Sequence, residues 1–313
     1  MVTVLQDEVL QFNADTLDSM RKEINLARPG EMEEAVNILK TWIQQQPHLK
    51  KKDFSDHYIE ATILTAKGSV EQAKKQIDKI CTMRTLVPQF FGITNLPEDI
   101  KNVLGVGSVV IMPKLNKLNQ RIYVLQVHGP VTSSSQFLDF YRFGFVLGDY
   151  MKEHDYITSY QCVVDIRKAN ISDLVGYMNP MELRQVLTLI VECYGLRIKG
   201  IHLVSNSKLI DTFIGILKTL LKPKMVQRLQ HHTDCSSLVE AIGKEYLPED
   251  LGGTEPTIKE TRARWTEVLY ASKFLDYLRE MNKATTDENC RPRHKFNEEY
   301  AGMPGTFRVL SVD

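Results

Sequence analysis

The sequence predicts an α/β protein in which a small all-helical region precedes a mainly parallel sheet. Two observations carry this. Short, near-continuous apolar runs follow residue 100, namely "IYVLQV" (122–127), "YQCVVDI" (160–166) and "GIHLV" (200–204), as strands covered on both faces should read. Helical patterns separate these runs, which implies right-handed crossovers and a parallel order. Between about residues 30 and 90, by contrast, three helical segments follow one another with no strand between them.

The first of those segments, 31–46, places Met32, Ala35, Val36, Leu39, Trp42 and Ile43 at three-and-four spacing and ends at Pro47. A second lies around 55–66. The third opens with "GSVEQAKKQIDKI", where Ser69 and Gln72 have the spacing of a capping box and Val70, Ala73, Ile77 and Ile80 line the inner face. Beyond the first strand, Phe137, Phe140, Tyr141, Gly144, Gly148 and Met151 share one face of a helix, which "SSS" (133–135) is expected to cap. The next helix is the best defined. Asn179 is its cap, Pro180 its first residue, Glu182 completes a box, and Leu183, Val186, Leu187, Ile190, Val191 and Tyr194 are its apolar face up to Gly195.

With 39 basic and 39 acidic residues among 313, no global field draws the chain to nucleic acid, so any electrostatic role must come from local clusters. The five cysteines are scattered, and the N-terminus lacks the pattern of a signal peptide. Reduced thiols in a soluble, cytoplasmic protein are therefore expected, since no apolar run reaches the roughly 20 residues of a membrane span.

Several short motifs carry little chemistry. "GVGS" (105–108) lacks the Lys-Ser/Thr of a phosphate loop and reads as a turn. "HHTDC" (231–235) offers His231, His232, Asp234 and Cys235, but neighbours on an extended chain face opposite ways, so a polar strand end is expected rather than a metal site. "EYLPEDLGGTEPT" (245–257) reads as a structural corner: its acids would repel an anion, while proline and paired glycines permit a tight turn. His128 and the serines near it have no G-x-S-x-G elbow beside them. No catalytic constellation, metal or cofactor is expected.

The segment "NSKLIDTFIGILKTLLKPKMVQR" (206–228) is more informative. Its apolar residues cover more of a helix than a surface stripe needs. Two readings fit: a buried core helix, or a lid with one side on an apolar cavity and the other toward a membrane. Lys218, Lys222, Lys224 and Arg228 gather near its C-terminal end, as on helices that meet anionic lipid. Upstream, Arg197 and Lys199 lie two apart, on one side of an extended chain.

"GLRIKGIHLVSNS", the apolar helix after it and "YLPEDLGGT" together resemble the CRAL-TRIO (Sec14-like) lipid-binding family, in its α-tocopherol transfer protein branch. "LKTWIQQQPHL", "GSVEQAKKQIDKICTMRTLVPQFF" and the terminal "GTFRVLSVD" resemble insect-type members of that branch. The resemblance implies an N-terminal extension (1–29), a helical module (30–95), a lipid-binding domain (96–256) with an apolar pocket under a helical gate, a C-terminal helix (257–283) and a tail (284–313). It further implies a pocket wall of Tyr141, Gly144, Phe145, Gly148, Tyr160, Val164, Ile190 and Ile201. Ile210, Phe213, Ile214 and Leu217 would form the gate, and Lys67, Arg197, Lys199, Lys224 and Arg228 would bind phosphoinositide headgroups. Two departures stand out. Gly144 and Gly148 occupy positions that carry serines in the tocopherol protein, either leaving room for a different ligand or allowing close helix packing. "HYIEATILTAKG" lacks the basic, leucine-rich character usual at that point. The expected function is binding and transfer of a hydrophobic small molecule (a tocopherol, retinoid, carotenoid or similar lipid) by a monomer that releases it at phosphoinositide-containing membranes. The alternative is a membrane- or protein-binding adaptor on the same fold.

Overall fold

A computed structural model describes residues 7–99, 101–156 and 158–291. Phe307, Val309 and Leu310, expected to anchor the tail if it docks, lie outside the described residues. The helical region comprises α1 (Thr16–Glu23), α2 (Glu31–Gln44), α3 (Asp56–Thr65) and α4 (Val70–Leu86). Two short helices, α5 (Leu96–Asp99) and α6 (Lys101–Val106), lead into the sheet. There follow β1 (Gly107–Ile111), β2 (Arg121–Val127), α7 (Ser134–His154), β3 (Ser159–Asp165), α8 (Ile171–Tyr177), α9 (Pro180–Thr188) and β4 (Arg197–Val204). The chain continues through α10 (Ile210–Leu220), α11 (Pro223–Val226), β5 (Leu229–His232), α12 (Cys235–Ile242), α13 (Ile258–Tyr270) and α14 (Ser272–Met281).

The five strands lie in the order β1-β2-β3-β4-β5, antiparallel between β1 and β2 and parallel elsewhere. One sheet face carries Ile122, Val124, Val163 and Val204 into a core with Leu238, Leu247, Leu251 and Trp265 from the α12–α13 side. The Trp265 indole donates to the Ile111 carbonyl at 2.9 Å, so this large ring enters the core without an orphaned N–H. The opposite face lies beneath α7, α9 and α10.

"GVGS" is not a turn. It spans the end of α6 and the start of β1, and Gly107 is demanded there because a Cβ would sit 2.3 Å from the Phe140 ring and 2.7 Å from the Gln126 carbonyl. "LPEDLGG" is the corner expected. Leu247 and Leu251 are fully buried, Gly252 takes φ +81°, and a Cβ on Gly253 would lie 1.8 Å from the Leu247 carbonyl. Asp250 within it accepts from the Ile258 N–H at 2.6 Å at the start of α13, and buried Glu255 just after it pairs with Lys114 at 2.6 Å.

Helix caps follow the sequence closely. Ser69 accepts from the Gln72 N–H, Ser133 and Gln136 form a capping box on α7, and Asn179 accepts from the N–H groups of Met181 and Glu182. Glu182 does not close its box; its Oε2 is buried without a hydrogen-bond partner. The continuous helix expected up to Tyr194 instead ends at Thr188 and passes into a π turn, Leu189–Cys193. That widening splits its apolar residues between two clusters, Val186, Leu189, Cys193 and Tyr194 in one and Leu187, Ile190 and Val191 against the other.

Charged groups buried at the junction join the helical region to the sheet domain. Arg84 of α4 places one nitrogen, Nη2, at 2.7 Å from both oxygens of Asp149 of α7, and the Tyr194 hydroxyl donates to the same carboxylate at 2.8 Å. α3 packs against α2, α4 and α7, which buries seven of its ten residues. That burial accounts for the uncharged character of "HYIEATILTAKG". Lys152 of α7 is 5% exposed and donates to Thr65 Oγ1 at 3.0 Å and Thr62 Oγ1 at 3.3 Å. Burial lowers its pKa to about 7, only partly offset by Asp149.

Below pH 7 Lys152 is charged both folded and unfolded, and the burial penalty is fully present. Between there and 10.5 the unfolded chain holds a proton that the folded one releases, so stability rises with pH. Urea unfolding of wild type and Lys152→Met should show the difference moving toward wild type from pH 7 to 9, by on the order of 1 kcal/mol per unit. A pH-independent difference would contradict this.

Candidate functional site

The sheet face beneath α7, α9 and α10 is built from strand alternation. Tyr123 and Leu125 of β2 stand in register with Cys162 and Val164 of β3, and these with Ile201 and Leu203 of β4. Paired residues project to the same side. Opposite them lie Phe137, Tyr141 and Gly144 of α7, Leu183 and Leu187 of α9, Ile190 of the π turn, and α10. Shared residues make this one continuous apolar layer: Cys162 and Leu229 each pack against two clusters, as does Ile190.

Within it, Tyr123, Leu125, Cys162, Val164, Tyr141, Leu187 and Ile190 remain half-buried. Yet burial pushes the Cys162 thiol up to about 12 and lifts the Tyr123 and Tyr141 phenols above the ordinary tyrosine range.

The expected wall residues divide. Tyr141, Gly144, Val164, Ile190 and Ile201 belong to this layer, and Tyr160 sits on the same face at 4% exposure with its hydroxyl unpartnered. Phe145 and Gly148 turn toward the helical region. The Phe145 ring stacks on Tyr194 at 5.8 Å and meets Phe90 and Phe91, and a Cβ on Gly148 would lie 3.1 Å from the Tyr194 ring. So close packing explains Gly148, whereas Gly144 is open: beyond its own helix, a Cβ there would meet only the Tyr123 hydroxyl, at 3.6 Å.

Ile210, Phe213 and Ile214 of α10 are buried against α8 residues Ile171 and Leu174 and the sheet residue Leu203, with Leu217 packed at the edge. The outward side is more polar than the sequence implied: Asp211, Thr212, Lys218 and Thr219 are exposed, while Ile216 and Leu220 are half-buried. At its start, Leu209 (47%), Met181 (50%) and Tyr177 (38%) are exposed. Tyr177 ends α8 and Met181 stands in the first turn of α9, and α10 packs against both helices.

The basic residues fall into two groups. A bulge skips Lys199: Tyr160 pairs with Ile198 and Gln161 with Gly200, leaving Lys199 exposed and outside the ladder. Through the bulge Ile198 and Ile201 enter one cluster. The Arg228 guanidinium donates to the Ile198 carbonyl, and the Ile201 N–H donates to the Arg228 carbonyl at 2.9 Å, which holds Arg228 beside Lys199. Gly195 takes φ +69° and abuts Thr65, so Arg197 and Lys67 each lie two residues from that contact. Arg197 gives one nitrogen to Glu23 at 2.9 Å, while its Nε and Nη2 have no partner. A separate cleft of about 590 Å³ between α2 and Lys74 is lined by Glu33, Glu34 and Asn37 and lies away from this site.

"HHTDC" ends β5 and caps α12 through Asp234, and among the described residues no three metal-binding side chains converge. Sequence reasoning missed the network behind it. The Gln161 amide donates to Gln120, so its oxygen accepts from His202 Nε2; His202 Nδ1 then accepts from His232 Nε2, and His232 Nδ1 from Ser237, all within 3.1 Å. Both imidazoles are neutral in this chain, consistent with burial lowering the His202 pKa to about 4. Gly200 makes room for it, since a Cβ would lie 2.0 Å from the Gln161 oxygen.

Residues 106–253 match the CRAL/TRIO domain and residues 28–100 a Pinta-like UBA domain. The chain is thus a CRAL/TRIO-domain protein. Among curated relatives it is 20% identical over 276 residues to the alpha-tocopherol transfer protein-like proteins of Mus musculus and Homo sapiens, spanning 87% of this chain and 78% and 79% of theirs. A solved structure titled "Crystal structure of Sfh5" aligns over 87% of this chain and 99% of its own, with 12% identity and a TM-score of 0.48.

Proposed function

We propose that this chain binds a hydrophobic small molecule between the sheet and α7, α9 and α10, and transfers it to membranes bearing anionic headgroups. The observation that carries the reading is the combination at Cys162, Tyr123 and Tyr141. All three pack against the apolar clusters between sheet and helices, yet each keeps surface open to a solvent-sized molecule. Side chains lining an enclosed space combine these properties. The names of the curated relatives and the CRAL/TRIO match support lipid binding and transfer in general.

Transfer needs a state that holds the ligand less well and a surface that favours it. α10 covers the layer with Phe213 and Ile214, and its own start joins the exposed apolar group Tyr177, Met181 and Leu209. Docking that group into a bilayer exchanges water for hydrocarbon at about 25 cal/mol per Å². Arg197, Lys199, Lys224, Arg228 and Lys67 form the anionic-headgroup surface, and Lys67, Lys199 and Lys224 are its exposed members. Contact with headgroups there stabilises an outward-swung α10.

The test is transfer of fluorescent tocopherol between vesicles. Protein should accelerate transfer, and more so when acceptors carry a phosphoinositide. Equal acceleration without phosphoinositide would remove that part of the reading, and no acceleration with this or with retinol would remove the carrier function.

A further inference from the structure

Glu192 joins two parts of the molecule through one carboxylate. It projects from the π turn, which packs against α4, and each of its oxygens takes a lysine. Lys79 of α4 donates to Oε2, and Lys222 donates to Oε1 at 2.7 Å. Lys222 belongs to the joint that follows α10. Leu221 and Lys222 are extended there, and Pro223 keeps the residue before it out of the helical region. Among the described residues, no other charged side chain between 208 and 228 is held in an ion pair. α10 is therefore tied by charge at its C-terminal end, whereas its start has no side-chain cap. Burial alone would raise the Glu192 pKa, but Lys222 and Lys79 outweigh it and hold it below the ordinary glutamate range. The carboxylate is ionised at neutral pH.

We propose that Glu192 is a latch: an internal anion that fastens the joint of α10 to the helical module through Lys222 and Lys79, and yields Lys222 to the phosphate of an anionic headgroup. The inference deepens the carrier reading above, since it names what holds α10 over the apolar layer. Exposure favours the exchange. The Lys222 side chain is 65% exposed and that of Lys79 13%, so an arriving phosphate reaches the first while the second stays on Glu192. Exposed Lys224, one of the headgroup cations, follows two residues later. Carboxylate and phosphate compete for one ammonium, and the phosphate brings more charge and more acceptor oxygens. Partly exposed pairs of this kind are individually weak, so the latch biases α10 by only about a few-fold and a membrane can undo it.

The test is amide hydrogen exchange of the full-length protein, read by mass spectrometry without membranes or ligand. Glu192→Gln keeps the size of the side chain and removes its charge. It should speed exchange in α10 by about two- to fivefold while β2, β3, β4 and α7 stay as in wild type. Lys222→Gln should do the same, and carries the test if Glu192→Gln does not fold. The double variant should open α10 no further than either single one, because both remove one interaction. Unchanged exchange in α10, additive effects, or faster exchange throughout the sheet would each overturn the latch. A second arm follows transfer of fluorescent tocopherol to phosphatidylcholine vesicles. Glu192→Gln should raise that rate by about two- to fivefold and narrow the advantage of acceptors that carry a phosphoinositide. Transfer that the variant leaves unchanged would overturn the latch as a control on release. Faster exchange confined to α10, with no transfer by wild type or variant, supports the latch and overturns the carrier reading instead.

Discussion

Replacing Asp149 with alanine should destabilise the protein by about 3–5 kcal/mol, the largest effect expected of any single substitution here. The carboxylate is 4% exposed and accepts from two donor atoms, Arg84 Nη2, which reaches both of its oxygens, and the Tyr194 hydroxyl. Its removal strands the guanidinium in a site where Arg84 is itself 4% exposed, over the Phe91 ring at 4.5 Å. The cost is that of an unpaired buried charge, not the net worth of the pair. A double change, Arg84→Met with Asp149→Leu, should therefore recover much of the loss. Urea unfolding of the two variants checks this. A single-variant loss below about 1 kcal/mol, or a double variant no better than the single, would contradict the account.

The second large effect concerns the basic surface. Lys199→Glu with Lys224→Glu should weaken binding to phosphoinositide-containing vesicles on the order of a hundredfold at low salt, at about 1 kcal/mol for each cation lost and more for each anion gained. Both side chains are exposed, so folding should be unaffected. Arg228 is a poorer probe because its guanidinium supports the Ile198 carbonyl. Added salt should shrink the difference by screening. Vesicle sedimentation across salt concentrations reads the effect, and unchanged binding at low salt would remove these lysines from the surface.

Local signals made much of the fold legible. Ser69, Ser133 and Asn179 act on backbone groups within three residues, and each cap stands where the sequence placed it. The strands β2, β3 and β4 were visible as apolar runs, as was the corner at "LPEDLGG". Other features depend on partners far along the chain. Arg84 meets Asp149 across 65 positions, and His202 meets His232 across 30. No periodicity announces such pairs. β1 was hidden because its first glycine invites a turn reading, whereas its reason for being glycine is the Phe140 ring.

The candidate site was legible in part for the same reason. Strand alternation and helical spacing identify which residues share a face but not what lies opposite. Gly144 and Gly148 read alike in sequence, one helical turn apart, yet Tyr123 faces the first and Tyr194 the second. The π turn and the bulge at Lys199 change side-chain direction without leaving a compositional mark. Tyr123 itself sat in plain view within "IYVLQV", where nothing distinguishes a phenol facing an apolar layer from one facing water.

The carrier reading is tested most directly by organic extraction of the purified protein followed by quantitative mass spectrometry. The account predicts close to one hydrophobic molecule per chain, displaced when the protein is incubated with phosphoinositide-containing vesicles. Protein that yields no such molecule and takes up none from lipid vesicles, while still binding anionic membranes, would contradict it and identify a membrane-binding adaptor instead.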